Sequence, residues 1–403
     1  MAIQITPAQR LSAIGEYYLQ RKMKEVAALN AQGLDIVSLG IGGPDMMPPA
    51  DAIETLCNAA RRSDTHSYQL GIGLPELREA FADWYRKYYG VTLDPAKEIL
   101  PVSGSKEGII FISLAFVNPG DKVLVPDPGY PTYTSANHLA GAEIVKYDLT
   151  QDGGWYPDFD ALDKTDLSGV KILWMNYPHM PTGAPARREV FERAVAFGKK
   201  HGIVIVNDNP YSFILNTDRQ SIFQVEGARD IAIELNSLSK AHNMAGWRMG
   251  MIATNPTFMS WILKVKSNID SGQFKPLMLA AAAALKQDED WFTGLNAEYR
   301  KRREAGEEVM RAMGVEFDPG QRGFHPLGRS FRRHDSKRSK SFHHSGIHLR
   351  QKWRTLCAHI ALRSGREAQG SRPPHIGMFK VNNFIHHIQK SKIRIRYGRH
   401  INE

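Results

Sequence analysis

An apolar run leads directly into a lysine-bearing loop in the stretch Ile231-Ala-Ile-Glu-Leu-Asn-Ser-Leu-Ser-Lys-Ala-His-Asn-Met-Ala-Gly-Trp-Arg248. The run 231–235 predicts a buried strand, and Lys240 follows it among small hydroxyl residues. A lysine amine that is neutral and held in place attacks carbonyl groups and forms Schiff bases. Arg248 could return to the same site and bind a phosphate with its planar guanidinium. Most loop lysines are ordinary surface residues, but the combined pattern Ser-x-Ser-Lys-x-x-x-x-x-Gly-x-Arg-x-Gly favours a chemical site.

Strand-like apolar runs alternate with helical stretches along most of the chain. Besides 231–235, strands are predicted at 36–41, 122–126, 171–175 and 203–206. Helices are predicted at 106–117, 132–140, 187–201 and 256–267, and a helical arm at 8–32 that ends at Gly33. This alternation indicates an α/β fold with a mostly parallel sheet that is covered on both faces. Ligands of such sheets bind at the carboxyl ends of the strands.

Composition excludes several classes of protein. The chain has 403 residues, of which 42% are hydrophobic, which is enough for a packed core. Cys57 and Cys357 are the only cysteines, which excludes a disulfide framework and a cysteine-built zinc site. We expect no metal. The longest apolar run, near 277–285, is too short for a membrane span, and residues 1–10 lack the apolar segment of a secretion signal. We therefore expect a cytoplasmic protein without a membrane partner.

Three further loops follow predicted strands. Small residues in Pro101-Val-Ser-Gly-Ser-Lys-Glu-Gly108 precede an apolar helix, which indicates either a phosphate seat at a helix N-terminus or a plain capped turn. In Asn207-Asp-Asn-Pro-Tyr211, Asp208 could pair with a ring-nitrogen cation and Tyr211 could donate to a phenolate oxygen; a turn role for Asp208 is the alternative. The segment Asn176-Tyr-Pro-His-Met-Pro-Thr-Gly183 could be simply a rigid turn with two prolines.

Together the four loops resemble those of the class I and II aminotransferases, which are pyridoxal-phosphate enzymes of fold type I. The resemblance covers roughly residues 8–320, with the motifs in family order and spacing. It implies a mostly parallel sheet with helices on both faces, plus a smaller α+β domain that is incomplete or disrupted here. It also implies a homodimer that moves an amino group between an amino acid and a 2-oxo acid by a ping-pong route.

The resemblance also implies roles for single residues. Lys240 would be the Schiff-base lysine and proton carrier, and Asp208 would hold the pyridinium N–H. Tyr211 would bind the 3-oxygen of the ring, and Tyr130 would stack on the ring. The remaining contacts implied are with the cofactor (Ser105, Lys106, Asn176, Ser237, Arg248), with the phosphate of the other subunit (Tyr68) and with the substrate carboxylate (Gly42).

One residue of the body departs from the family pattern. The family usually has Asn-Asn or His-Asn before Pro-Thr-Gly, and the last asparagine donates to the ring's 3-oxygen. Met180 stands in that place. The resemblance then implies that Tyr211 alone binds this oxygen, which would raise its basicity.

Charge divides the chain into two parts. Residues 322–403 contain 19 Lys and Arg against 3 Asp and Glu, whereas residues 1–321 contain 33 against 39. We therefore expect an N-terminal arm with a small-domain portion at 1–45, a large cofactor-binding domain at 46–272, the start of the C-terminal small domain at 273–321 and an aberrant basic tail at 322–403. A basic tail by itself would favour binding to nucleic acid or to acidic partners.

The tail is explained better as the family's C-terminal segment read out of frame. Synonymous codons exist for 342–364 that, read from the second base of each codon, give F-I-T-P-G-F-I-F-G-K-N-G-E-R-Y-V-R-I-S-L-C-A-P. For example, TGT-GCG-CAT-ATC for Cys357–Ile360 reads GTG-CGC-ATA, which is Val-Arg-Ile. The family places a substrate-binding arginine in such a segment, and here it would lie across the codons of Ala358 and His359. The span between Gly323 and Phe342 also looks shorter than that of the family, which suggests an accompanying deletion.

Two other functions stay open at this point. A carbon–sulfur β-lyase would use the same lysine and ring, and only its products distinguish it from a transaminase. A non-enzymatic binding protein with a basic tail would show retained binding with a steep salt dependence. Transamination, with pyridoxal phosphate as cofactor and no nucleic-acid partner, is our prediction.

Overall fold

A computed structural model describes residues 5–33, 43–312, 315–317, 320 and 328–330 of the protein. Its largest element of structure is a seven-stranded sheet. Its strand order is β1-β7-β6-β5-β4-β2-β3, and only β7 runs antiparallel to its neighbours. The mostly parallel sheet predicted from the sequence is therefore confirmed. The strands are β1 (Ile99–Val102), β2 (Lys122–Asp127), β3 (Glu143–Asp148), β4 (Val170–Met175), β5 (Val204–Asp208), β6 (Ala232–Ser237) and β7 (Gly250–Thr254).

Helices connect the strands and cover the sheet. The helices predicted at 106–117, 132–140, 187–201 and 256–267 are confirmed to within one residue at each end. The α-helices are α1 (Tyr18–Ala31), α2 (Ala50–Ala60), α3 (Pro75–Tyr89), α4 (Ser105–Phe116), α5 (Pro131–Ala140), α6 (Phe159–Leu162), α7 (Arg188–His201), α8 (Leu238–Ala241), α9 (Pro256–Ser267), α10 (Lys275–Ala284) and α11 (Glu289–Ala312).

Both faces of the sheet are buried because successive strand residues point to opposite sides. In β4, Ile172 and Trp174 join one apolar cluster, and Leu173 and Met175 join the other. A strand that is buried on both faces reads as a continuous apolar run, which is why β4 was visible in the sequence.

Three strands were missed, each for a local reason. β1 is only four residues long and contains Pro101, and β7 begins at Gly250 directly after the arginine motif. β3 lies at the edge of the sheet, with four of its six residues at least partly polar and most only half-buried or exposed. None of the three shows the long apolar run that marks an interior parallel strand.

The helical arm predicted at 8–32 was wrong as a single helix. It consists of a 3-10 helix at Gln9–Ala13 and of α1, separated by four non-helical residues that include Gly15, a poor helix former. Gly33 does follow the end of α1 with a φ of 81°, as a terminating glycine should. The strand predicted at 36–41 lies outside the described residues, as does almost all of the tail.

The described residues fall into two compact units. The larger holds 5–14 and 43–303, including the whole central sheet. The smaller holds α1, the last part of α11 and a two-stranded antiparallel sheet of β8 (Val315–Phe317) and β9 (Gly328–Ser330). The four-part division drawn from the sequence stays a prediction.

Candidate active site

Most of the predicted site residues lie just after strands that end at one edge of the sheet. β1, β2, β4, β5 and β6 run in the same direction, so their carboxyl ends share that edge. The polar loops after these strands therefore meet there, as the sequence predicted. They carry Ser105 after β1, Tyr130 after β2, Asn176 after β4, Asp208 and Tyr211 at the end of β5, and Ser237 and Lys240 at the end of β6.

A tight cradle surrounds the N-terminus of α4. Gly104 has a φ of 82°, and a Cβ atom there would overlap the guanidinium of Arg248. The Nη2 atom of Arg248 donates to the carbonyl of Ser103 at 3.1 Å, and Nη1 donates to that of Ala245 at 2.9 Å. A guanidinium beside the N–H groups of a helix N-terminus forms a seat for a phosphate group. Lys106 adds a second cation, and burial and then Arg248 lower its pKa.

Glycine is also required where β7 passes this cradle. A Cβ on Gly250 would lie 2.6 Å from the carbonyl oxygen of Asn236 and 3.1 Å from the backbone nitrogen of Ser105. No other residue would let β7 lie so close to the start of α4. The final glycine of the Ser-x-Ser-Lys pattern thus has a steric reason.

Lys240 lies in α8, the single helical turn after β6. Ser237 fixes the start of that turn: its Oγ accepts the N–H of Ser239 at 3.1 Å and donates to the carbonyl of Met249 at 3.3 Å. Burial lowers the pKa of the Lys240 amine, and the positive charge of Arg248 lowers it further. Both effects increase the neutral fraction of the amine, which is the form that attacks a carbonyl.

Asp208 is a buried carboxylate with one oxygen left for a ligand. Its Oδ2 accepts the hydroxyl of Tyr133 at 2.9 Å, whereas its buried Oδ1 has no hydrogen-bond partner in the described part of the chain. Burial raises the pKa of Asp208 to about 7, the hydrogen bond from Tyr133 opposes this rise, and the charge of Glu234 adds to it. A buried acceptor without a partner is costly, so the arrangement suits a cationic donor such as a pyridinium N–H.

Tyr133 is the site residue that the sequence reasoning missed. Its ring stacks on Trp174 at 5.1 Å between centroids, and lies edge-on to Tyr130 at 5.6 Å. The signal was the spacing of three between Tyr130 and Tyr133 at the start of a helix, which places both side chains on one face. The same spacing is equally typical of two core residues, so it does not single out Tyr133.

Asn176 has a structural task in addition to any contact with a ligand. Its amide nitrogen donates to the backbone carbonyl of Asp208, and its Oδ1 accepts the N–H of Met180 at 2.8 Å. Asn176 therefore ties the loop after β4 to the end of β5. Met180, the departure from the family pattern, is held in this loop through its backbone, and Tyr211 lies half-buried against the core.

Two predicted residues are not brought to this edge by contacts within the described chain. Tyr68 is 92% exposed in the single chain. Gly42 lies outside the described residues. The tail segment in which the substrate-binding arginine was sought, 342–364, also lies outside them.

The residues that the structure describes contain neither a cluster of metal-ligating side chains nor a helix that could span a membrane. No group of three or more His, Cys, Asp or Glu side chains there is arranged to hold a metal ion. No helix among these residues is both long and apolar enough to cross a bilayer.

Comparison with known proteins supports the same identity. The model of the family "Aminotransferase class I and II" matches residues 35–359. An LL-diaminopimelate aminotransferase of Dehalococcoides mccartyi is 40% identical over 311 residues, which are 77% of this chain and 80% of the relative. The corresponding enzyme of Aquifex aeolicus is 39% identical over 315 residues, 77% of this chain and 81% of the relative.

Solved structures agree with these relatives in fold. Substrate-bound BacF of Bacillus subtilis matches with a TM-score of 0.74 at 32% identity, over 80% of this chain and 82% of that one. A mutant aspartate aminotransferase of Thermus thermophilus matches with a TM-score of 0.75 at 26% identity, over 81% and 85%. The predicted fold type, amino-group transfer and pyridoxal-phosphate cofactor are thereby confirmed. The chain belongs to the class I and II aminotransferases, the fold type I enzymes that use pyridoxal phosphate.

Proposed function

We propose that this chain transfers the amino group of an amino acid of the LL-diaminopimelate kind to a 2-oxo acid. The substrate class is suggested by the names of the relatives in Dehalococcoides mccartyi and Aquifex aeolicus. The observation that carries the chemistry is the buried Oδ1 of Asp208, which has no hydrogen-bond partner among the described residues. Asp208 lies at the same edge of the sheet as Lys240. Amino-donor profiling with a panel of 2-oxo acids tests the substrate class; turnover of LL-diaminopimelate no faster than of aspartate or alanine would contradict it.

The residues of the edge divide the chemistry among them. Pyridoxal phosphate, when bound, supplies a conjugated ring that accepts the electron pair of the substrate's Cα–H bond. Asp208 would hold a proton at the ring nitrogen, and the Lys240 amine would take up and later release the proton of the substrate's Cα atom. Arg248 and the N–H groups at Ser105 and Lys106 would bind the phosphate, Ser237 would support it, and Tyr130 and Tyr211 would orient the ring.

The proposed assembly is a homodimer. Large apolar side chains are exposed on two segments, 68–70 and 269–274. The two segments lie against each other, because a Cβ on Gly272 would be 2.5 Å from the carbonyl oxygen of Gln69. The exposed residues on these segments are Tyr68 (92%), Leu70 (78%), Ile269 (57%) and Phe274 (46%). An exposed apolar patch of this kind marks an interaction surface. A second copy would cover it, and Tyr68 would then reach the phosphate in that copy.

Tyr68→Phe should weaken pyridoxal-phosphate binding without dissociating the dimer. Only a hydroxyl is removed, and a hydrogen bond to a charged group contributes about 1.5–3 kcal/mol, so the dissociation constant should rise roughly tenfold or more. Fluorescence titration and analytical ultracentrifugation measure the two quantities. Tyr88→Phe, which removes a hydroxyl bound to the carbonyl of Gln287 at 2.8 Å, is the matched control. An unchanged affinity in Tyr68→Phe would contradict the proposed contact.

The proposed division of the chain into domains is the one predicted from the sequence. The central-sheet unit would be the cofactor-binding domain, and the ends of the chain would contribute to the small domain. With only Cys57 and Cys357 in the chain, we propose the cytoplasm as the compartment.

Asp208→Asn should slow transamination by about 10²–10³-fold, because an amide cannot stabilise a protonated ring nitrogen as a carboxylate does. Stopped-flow measurement of the amino-acid half-reaction tests this. A rate near that of the parent chain would reduce Asp208 to a structural group at a strand end.

The same variant should be more stable than the parent when both are free of cofactor. The pKa of Asp208 is raised to about 7, so its ionisation opposes folding once the pH passes the ordinary range near 4. The stabilisation should be absent near pH 4, should grow as the pH rises, and should reach at most about 4 kcal/mol above pH 7. Urea unfolding at pH 4 and pH 8 measures it. If the gain in stability of Asp208→Asn over the parent were smaller at pH 8 than at pH 4, the raised pKa of Asp208 would be contradicted.

A further inference from the structure

Glu234 is a buried carboxylate without a role in the chemistry described above. It lies in β6 and is fully buried. Its Oε1 accepts the hydroxyls of Tyr85 at 2.8 Å and Ser221 at 2.9 Å. Its Oε2 accepts the N–H of Ile222 and the amide of Asn207, both at 3.0 Å. Four donors on two oxygens satisfy a carboxylate, which can only accept hydrogen bonds.

This carboxylate lies on the side of the sheet opposite to the Asp208 side chain. Asn207 and Asp208 are consecutive in β5, so their side chains point to opposite faces. Asn207 is the register partner of Glu234, and Tyr85 belongs to the apolar cluster of that face. Tyr133, which binds Asp208, belongs to the cluster of the other face. Glu234 therefore cannot touch a cofactor that is bound by Asp208.

The hydrogen bonds of Glu234 nevertheless lead to the loops of the site. Asn207, which it holds, directly precedes Asp208 and accepts the N–H of Tyr177 at 3.1 Å through its Oδ1. Tyr177 directly follows Asn176. Ser221 and Ile222 close the loop that begins at Asp208 and contains Tyr211. One carboxylate thus joins β6 to the end of β5, to the loop after β4 and to the loop after β5.

We propose that Glu234 is a positioning residue of the cofactor pocket, which fixes the backbone of Asp208 from the far face of the sheet and places a negative charge behind it. The proposal rests on the proposed cofactor site. The charge of Glu234 favours the protonated form of Asp208. Tyr133 on α5 donates its hydroxyl to Asp208, and Tyr130 and Tyr211 interact in turn with Tyr133.

Glu234→Gln removes the charge while keeping the hydrogen bonds. The glutamine oxygen can stand at the Oε2 position, where Asn207 and Ile222 must donate. Its NH₂ can then stand at the Oε1 position, where both neighbours are hydroxyls that can turn to accept. We therefore expect a folded variant whose pocket has lost one negative charge.

The expected result is a change in how the bound cofactor titrates. The visible absorbance of bound pyridoxal phosphate depends on pH, so a pH titration of this absorbance has a midpoint. In Glu234→Gln this midpoint should move to lower pH by about half a unit, because loss of a negative charge makes nearby bases weaker. Glu98→Gln is the matched control. Glu98 is also buried, accepts hydrogen bonds from the guanidinium of Arg229 and the backbone N–H of Asp94, and lies before β1 at the amino edge of the sheet. Its titration should match that of the parent chain. Equal midpoints in Glu234→Gln and the parent, or equal shifts in both variants, would overturn the proposal.

A second variant covers the case in which Glu234→Gln does not fold. Asn207→Ala leaves Glu234 with three donors but cuts its link to the loop after β4, so the dissociation constant for pyridoxal phosphate should rise about tenfold. A constant within twofold of the parent value would overturn the positioning role. If the parent chain itself binds no pyridoxal phosphate, the proposed function fails; if the parent binds it and both variants match the parent, only the role of Glu234 fails.

Discussion

Lys240→Ala should lose transamination by at least about 10²–10⁴-fold, the range that a positioned proton-transfer group contributes on its own. The amine is buried beside Arg248 and its pKa is lowered, which are the conditions for a nucleophilic and basic lysine. Reduction of the loaded protein with borohydride, followed by peptide mapping, should place the pyridoxyl group on Lys240. Lys240→Ala should still bind pyridoxal phosphate without a covalent bond, because the phosphate seat at Gly104 and Arg248 is untouched.

A second lysine provides the control for this experiment. Lys171 is exposed near the amino end of β4, at the opposite edge of the sheet from the site. Lys171→Ala should keep both the label and the rate of the parent chain. A pyridoxyl group found on Lys106 or on any other lysine would contradict the assignment of Lys240 as the Schiff-base lysine, whatever the rates of the variants.

The order of strands and helices could be predicted because interior parallel strands and amphipathic helices have strong patterns. β4 and β5 are buried on both faces and read as apolar runs, and α7 and α9 show helical spacing. β3 could not be predicted in this way, because an edge strand with one exposed side has no continuous apolar run. The strand order itself, with β7 inserted antiparallel between β1 and β6, depends on long-range pairing that no local pattern encodes.

The residues of the site were predictable where a loop motif carries them, and not where burial defines them. Lys240, Asp208 and Arg248 stand in motifs that follow strands. Glu234 stood inside the apolar run 231–235 and read as one polar residue of a strand. Its four donors come from α3, β5 and the segment at Ser221, which are separated from it by up to 149 positions along the chain. Only the folded chain brings such donors together.

Restoring the reading frame of the tail should raise the rate of the amino-acid half-reaction by roughly 10–10²-fold over that of the chain as it stands. The restored chain would carry F-I-T-P-G-F-I-F-G-K-N-G-E-R-Y-V-R-I-S-L from position 342 on, with the missing upstream segment supplied. Its arginine, encoded across the codons of Ala358 and His359, would pair bidentately with the substrate carboxylate. Hydrogen bonds to charged groups contribute about 1.5–3 kcal/mol each, which sets this range.

Three chains separate the effect of the arginine from that of the tail as a whole. They are this chain, the restored chain, and the restored chain with that one arginine changed to glutamine, compared by stopped-flow half-reaction rate and by thermal unfolding. Borohydride labelling should mark Lys240 in all three, since the proposed cofactor contacts all lie before residue 250. The glutamine variant should unfold like the restored chain but react as slowly as this one, because a neutral amide cannot replace a guanidinium at a carboxylate. If this chain already matches the restored chain in both rate and unfolding temperature, the tail at 322–403 is not a frame error, and substrate carboxylates are bound by other residues.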